Sequence, residues 1–298
     1  MTDVVLRGAF SKVSRRWQPG LVEPIKKAPG RSARLFLPLE YTAKIKRPDE
    51  HYILHGVVGY DLLVTALAYA PISPRPALVV ACLGLYIMAF FATYEIGYFE
   101  NDKVAAKLER LPIVHPAFVE QSYRFSPALG WISGLMFGAA GAALQGAAQL
   151  SGPFFDSDAS RLATFGSNWA LVTGLQLVTR LIFYAFNHST PDSRLTSMMM
   201  MQLARVFGYA LLFKISLVGG ILCLAHAVAR WTAYVVYRSG GNRQRLPLHL
   251  VTFLLFFSVG AALLASGVRI TVDQAGQVIL IILYLSARAL RNMMQRLD

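Results

Sequence analysis

Charge, cysteine and acid are all scarce in this chain of 298 residues. Only 15% of it is charged against 55% hydrophobic, and the mean hydropathy is +0.46. That excludes an ordinary water-soluble domain, in which about a quarter of residues carry charge. Only two cysteines occur, and Cys82 and Cys223 each lie inside an apolar run. They read as packed thiols in preference to a disulfide or a metal pair. The first 50 residues lack a sustained apolar run, so no cleavable signal is expected there. Also absent are a P-loop, a dinucleotide fingerprint and a nucleophile elbow.

Long apolar runs are what the chain does have. They predict an all-α fold, a polytopic transmembrane helical bundle. Eight spans are expected, at 52–71, 77–98, 126–148, 163–186, 196–213, 216–237, 247–267 and 274–291. Residues 1–50 form a basic tail before the transmembrane domain of 51–298. In that tail Leu6, Phe10, Val13 and Trp17 recur at helical spacing, which suits an interfacial helix or, equally, a mobile tail.

The net charge of +13 raises the question of nucleic acid, and its distribution answers it. With the N-terminus inside, Lys and Arg cluster in the tail, in 99–125, in 238–246 and after residue 287. The opposite loops hold only Arg75, Arg161, Lys214 and Arg269. This is the positive-inside pattern of a membrane protein with both termini cytoplasmic, as in a bacterial inner membrane. No nucleic-acid partner is expected. Gly134, Gly138 and Gly141 give the third span a small-residue face. It is expected to pack within the chain, with a homodimer as the alternative.

Against this apolar background Glu95, Asp102 and Glu109 stand out. Spacings of seven and fourteen place them on one helical face where the second span leaves the bilayer. An acidic stripe there is costly unless something binds it. With Asn101 it suits Mg²⁺ gripping a diphosphate, and the alternative is a solvated helix whose acids pair with nearby lysines and arginines. Arg180, Arg205 and Arg230 lie on three different spans and suit phosphate, or else snorkel or pair with Asp61 and Glu95. Tyr184 follows Arg180, and Tyr234 shares a helical face with Arg230 and His226.

These motifs resemble the UbiA prenyltransferase superfamily. Its first signature, Asn-Asp-x-x-Asp-x-x-x-Asp, matches Asn101, Asp102 and Glu109, with Ala105 in place of an Asp. Lys46-Arg47-Pro48 resembles its Arg-Pro element before the first span, and Arg205 followed by Gly208 its fifth-span motif. Tyr184 falls where the family has its loop between spans four and five. The chain departs in lacking the second acidic motif. Residues 230–245 offer Arg230, Tyr234, Arg238, Arg243 and Arg245 instead. Eight spans are read where nine are typical.

The resemblance covers 45–240. It implies a Mg²⁺-dependent membrane transferase that moves a prenyl or phosphoribosyl group from a diphosphate donor in a polyprenyl-lipid pathway. Asp102, Glu109 and Asn101 would be catalytic, with Glu95, Asp102 and Glu109 on the metal. Arg47, Arg180, Tyr184, Arg205, Arg230 and Tyr234 would bind substrate. One acidic cluster among many arginines suits the branch resembling decaprenyl-phosphate phosphoribosyltransferase. A degenerate, non-catalytic lipid-binding or scaffold protein and a transporter are the alternatives, though no inverted repeat supports the last.

Overall fold

A computed structural model describes residues 33–35, 37–48, 51–108, 114–120, 123–150, 152–153, 160–190 and 193–294. The residues of the expected interfacial helix, Leu6 to Trp17, lie outside them. The described chain is almost wholly helical. The longer helices are α1 (Ile53–Tyr69), α2 (Pro76–Leu108), α3 (Pro127–Ala147), α4 (Arg161–His188), α5 (Ser193–Phe207), α6 (Leu217–Arg238), α7 (Leu248–Ala265) and α8 (Val272–Met294).

Six of them, α2, α3, α4, α6, α7 and α8, are long and apolar enough to cross a membrane. Local sequence sets their ends. Ser126, Ser160 and Ser216 cap α3, α4 and α6 by accepting a bond from a first-turn N–H, and Pro127 occupies the first position of α3. The two other expected spans are shorter. α1 has a π-helical first part, Ile53–Leu62. The segment expected at 196–213 begins as α5, a 15-residue amphipathic helix, and continues into the tight 3₁₀ turn Gly208–Leu211. Neither meets the length of a full span: α1 stops just before Pro71, and α5 passes into the 3₁₀ turn after 15 residues.

Polarity is distributed as a bilayer requires. α7 is highly apolar but buries little of that surface within the chain, presenting Leu254, Phe257 and Leu264 outward. Gln145, Gln176, Asn168 and Gln277 are buried inside. Exposed leucines and buried glutamines suit hydrocarbon outside and hydrogen-bonded packing within. Gln145 accepts from the Tyr86 hydroxyl at 2.8 Å and donates to the Leu212 carbonyl at 2.8 Å. Gln277 accepts from Ser216 at 2.6 Å and donates to the Leu67 carbonyl at 2.8 Å. This is an integral membrane helical bundle.

The bundle has two apolar centres. One surrounds α2, where Tyr86, Phe90, Phe91 and Tyr94 meet Phe183, Met201 and Tyr209. The other joins α1, α6, α7 and α8 through Val64, Leu222, Phe256, Ile281 and Leu285. The glycine face of α3 packs inside the chain: Gly134 meets α2, and Gly138 meets Val172 of α4. α6 approaches α1 closely enough that a Cβ on Gly219 would strike the Ala68 carbonyl.

Part of the expected tail belongs to the bundle. Ala33–Leu35 pairs in parallel with Tyr123–Phe125, and Leu35, Tyr41 and Ile45 pack on Tyr98, Phe99 and Phe125. Residues 37–48 form a strap, with a π-helical turn at Thr42–Lys46, across the end of α2. Residues 33–35 and 37–48, inside the expected tail, thus contact the bundle. The buried carboxylates of α2 hold the strap down, a tertiary effect that composition does not report.

Candidate functional site

A cavity of about 790 Å³ opens at the end of the bundle where the strap lies. The start of α1, the C-terminal ends of α2, α4, α6 and α8, one face of α5 and the N-terminal end of α7 converge on it. Its wall carries Lys46 and Arg47 from the strap and Arg194 and Arg205 from α5. Arg230 and Arg238 come from α6, Arg243 from the following turn, and Arg288 from α8. Between them stand Tyr52, Tyr60, Tyr94, Tyr98, Tyr234 and Tyr237. Among the described residues no Asp or Glu lines it. Phe183, Phe186, Met198 and Met201 add an apolar patch. Met198, Met201 and Arg205 share one face of α5, so that helix turns both apolar and cationic side chains inward.

The arginines nearest the bundle core are fixed by Asp61 of α1, which is itself 2% exposed. Arg205 grips both oxygens of Asp61: its Nε donates to Oδ1 at 2.9 Å and its Nη2 to Oδ2. The same Nη2 donates to the Tyr52 hydroxyl at 3.1 Å, and the guanidinium lies over the Phe91 ring at 4.8 Å. Arg230 reaches Asp61 Oδ1 only at 3.4 Å and stands over the Tyr60 ring at 5.4 Å. One carboxylate therefore serves two guanidinium groups. The surplus positive charge faces the cavity, where an anion can meet it. The ring of His226 lies against that of Tyr60 at a tilt of 52°, with its Nε2 3.9 Å from Asp61.

The carboxylates of α2 have other partners. Glu95 is buried and accepts from the backbone N–H groups of Leu39 at 2.9 Å and Thr42 at 2.6 Å. Asp102, also buried, accepts from the Tyr41 hydroxyl at 2.6 Å and from Lys46 Nζ. Burial first, and then the Asp102 charge, push the Tyr41 phenol well above its ordinary pKa, so it stays a donor. Glu109 lies outside the described residues. As placed, Glu95 and Asp102 hold the strap, and through it they position Lys46 and Arg47. A resident Mg²⁺ fits them poorly, since each spends both oxygens on protein donors. Among the described residues no three His, Cys, Asp or Glu side chains gather as around a metal ion.

The other expected site residues divide. Asn101, Arg47, Arg205, Arg230 and Tyr234 come together on the cavity wall. Ala105 is there too, where the resembling motif carries Asp. Arg180 is not: it pairs with Glu100 at 2.8 Å, with Asn187 donating to the same carboxylate oxygen at 3.0 Å. Tyr184 faces outward, half exposed, and stacks on His188 with ring centres 4.2 Å apart.

Arg288, His249 and His55 reach the wall without having stood out in the sequence. Arg288 had a signal, since it follows Gln277, Ile281 and Leu285, all buried, at helical spacing on α8. The histidines had none, because the fold brings them there from two helices far apart in the chain.

The arrangement can hold a polyanion beside an apolar chain. Tyrosine hydroxyls and guanidinium groups supply donors, and among the described residues no wall carboxylate repels phosphate. Comparison of the chain with protein-family models, with curated proteins and with solved structures finds no match.

Proposed function

We propose that this protein is an integral membrane transferase of UbiA type. It moves a prenyl or phosphoribosyl group from a diphosphate donor within a polyprenyl-lipid pathway. The supporting observation is the cavity itself, basic and tyrosine-lined with an adjoining phenylalanine and methionine patch. We read eight traverses, counting α1 and α5 with its 3₁₀ continuation. The Lys/Arg distribution supports a reading in which the cavity and both termini face the cytoplasm of a bacterial inner membrane.

The chemistry follows from the wall. The donor C–O bond breaks and its electron pair leaves with the diphosphate. Preorganised guanidinium groups stabilise that departing charge in a site of low dielectric, which supplies most of the rate. The acceptor oxygen then bonds to the electron-poor carbon. Among the described residues no wall carboxylate stands ready to remove a proton, and an acceptor that attacks through an already ionised oxygen suits such a wall. A polyprenyl phosphate is such an acceptor, and this favours phosphoribosyl transfer over prenylation of a neutral acceptor. Mg²⁺ enters the proposal as the counter-ion of the donor diphosphate.

The test uses the full chain in detergent with Mg²⁺. Labelled phosphoribosyl diphosphate is paired with a polyprenyl phosphate and, in parallel, a labelled prenyl diphosphate with candidate acceptors. The expected result is a labelled lipid product, lost in Arg230→Gln. Folded protein that yields no lipid product from either donor overturns the proposal. Ala105 supports a second reading, that of an anionic-lipid binder without turnover. Retention of the labelled lipid without product would single it out.

A further inference from the structure

One wall of the cavity holds polar groups that the bundle leaves unmatched. Arg288 lies on the face of α8 that buries Ile281 and Leu285. Among the described residues no carboxylate pairs with it. Its Nη2 reaches the His55 carbonyl at 3.4 Å, and its Nε is buried without a partner. A guanidinium on a spanning helix with no counter-ion is costly unless a ligand supplies one. At the start of α7, His249 is 9% exposed and its Nδ1 is also buried without a partner. The Tyr60 ring stands between these groups, 4.5 Å from the His249 ring and 5.4 Å from the Arg230 guanidinium. Arg205 claims both oxygens of Asp61, so Arg230 keeps charge to spare. The Tyr284 hydroxyl donates to the Gly59 carbonyl at 2.9 Å, which ties α8 to α1 and fixes the approach of Arg288.

We propose that Arg288, Arg230 and His249, gathered around Tyr60, form an anion subsite for a phosphomonoester, on a different wall from Lys46, Arg47 and Asn101. Two guanidinium forks and an imidazole from three helices suit a tetrahedral dianion better than a planar carboxylate of single charge. In the transferase reading, on which only the identity of the ligand rests, this group is a second phosphate, separate from the diphosphate that leaves. It belongs either to a lipid headgroup or to a soluble phosphorylated molecule.

Detergent-purified full-length protein is titrated with inorganic phosphate and, separately, with a single-chain alkyl monophosphate. Tm is read against sodium chloride of equal ionic strength. Binding to the folded state raises Tm with occupancy. Both probes should raise it. Arg288→Gln should weaken both at least about tenfold, the loss expected for a charge-assisted hydrogen bond. Lys214→Gln removes the same charge just before the far, N-terminal end of α6 and should leave both affinities as in wild type. An alkyl phosphate that binds at least about tenfold tighter than phosphate assigns the subsite to a lipid headgroup, and equal affinities assign it to a soluble phosphate. If Arg288→Gln does not fold, Arg288→Lys, which keeps the charge and loses the fork, and His249→Ala carry the same comparison. No rise beyond that in chloride, or variants that bind as wild type does, overturns the subsite. Intact phosphate binding without lipid product would overturn the transferase and leave the subsite standing. Lipid product with phosphate affinity unchanged in the Arg288 variant would do the reverse.

Discussion

Neutralising Glu95 separates a structural carboxylate from a metal ligand. In Glu95→Gln the side-chain carbonyl still accepts one of the two backbone N–H groups, from Leu39 or Thr42. Its amide nitrogen then confronts the other, donor against donor. An orphaned buried N–H costs about 1–3 kcal/mol, and turning the surviving bond from charge-assisted to neutral costs about 1 more. The sum is about 2–4 kcal/mol. At roughly 2 °C per kcal/mol, the lower end for larger domains, Tm should fall by about 4–8 °C. The assay is thermal unfolding in detergent at one scan rate, in buffer treated with chelator. Protease cleavage within the strap should also accelerate, because Glu95 clamps residues 39–42 to α2. The loss should be the same with or without Mg²⁺. A Tm within about 1 °C of wild type in metal-free buffer would refute the clamp. If wild type then showed a Mg²⁺-dependent rise that the variant lacked, Glu95 would return to the metal.

Asp61→Asn leaves Arg205 buried without its counter-charge and should cost about 3–5 kcal/mol, read as a lowered Tm that inorganic diphosphate partly restores. Gly219→Ala drives a methyl group into the Ala68 carbonyl and should cost about 1–3 kcal/mol or more, whereas Gly220→Ala, in open space, should leave Tm within about 1 °C. The raised Tyr41 pKa means that the folded protein keeps a proton that the unfolded chain releases near pH 10. The stability this contributes is whole below about pH 10 and declines as pH rises above it. Tyr41→Phe should therefore lower Tm at pH 8 and flatten its alkaline decline.

Local chemistry made much of this protein legible. Hydropathy and run length announce a membrane bundle, because hydrocarbon admits only backbone that bonds to itself. The serine caps and Pro127 mark helix starts one residue at a time. Positions inside apolar runs link Arg180, Arg205 and Arg230 in sequence, and the structure brings Arg205 and Arg230 together. Residue count alone did not decide the spans: α5 is periodic enough to be helical, yet its face carries Met201, Gln202 and Arg205 inward, so it lines a cavity instead of meeting lipid along its length.

The tertiary structure decided what each charge is for. Glu95 and Asp102 look like ligands in sequence, since spacing shows which face a carboxylate occupies but not what lies opposite. The strap lies opposite, 53 to 61 residues away in the chain, and its N–H and O–H donors consume them. Arg180 and Arg205 both fall inside spans expected from the sequence. One is neutralised by Glu100 away from the cavity, while the other shares Asp61 with Arg230 and leaves charge over. Composition by itself determined the solvent this protein lives in, because transfer free energy adds up residue by residue. The pairing of its few charges, and so the place where an anion can bind, depended on long-range contacts that no local pattern encodes.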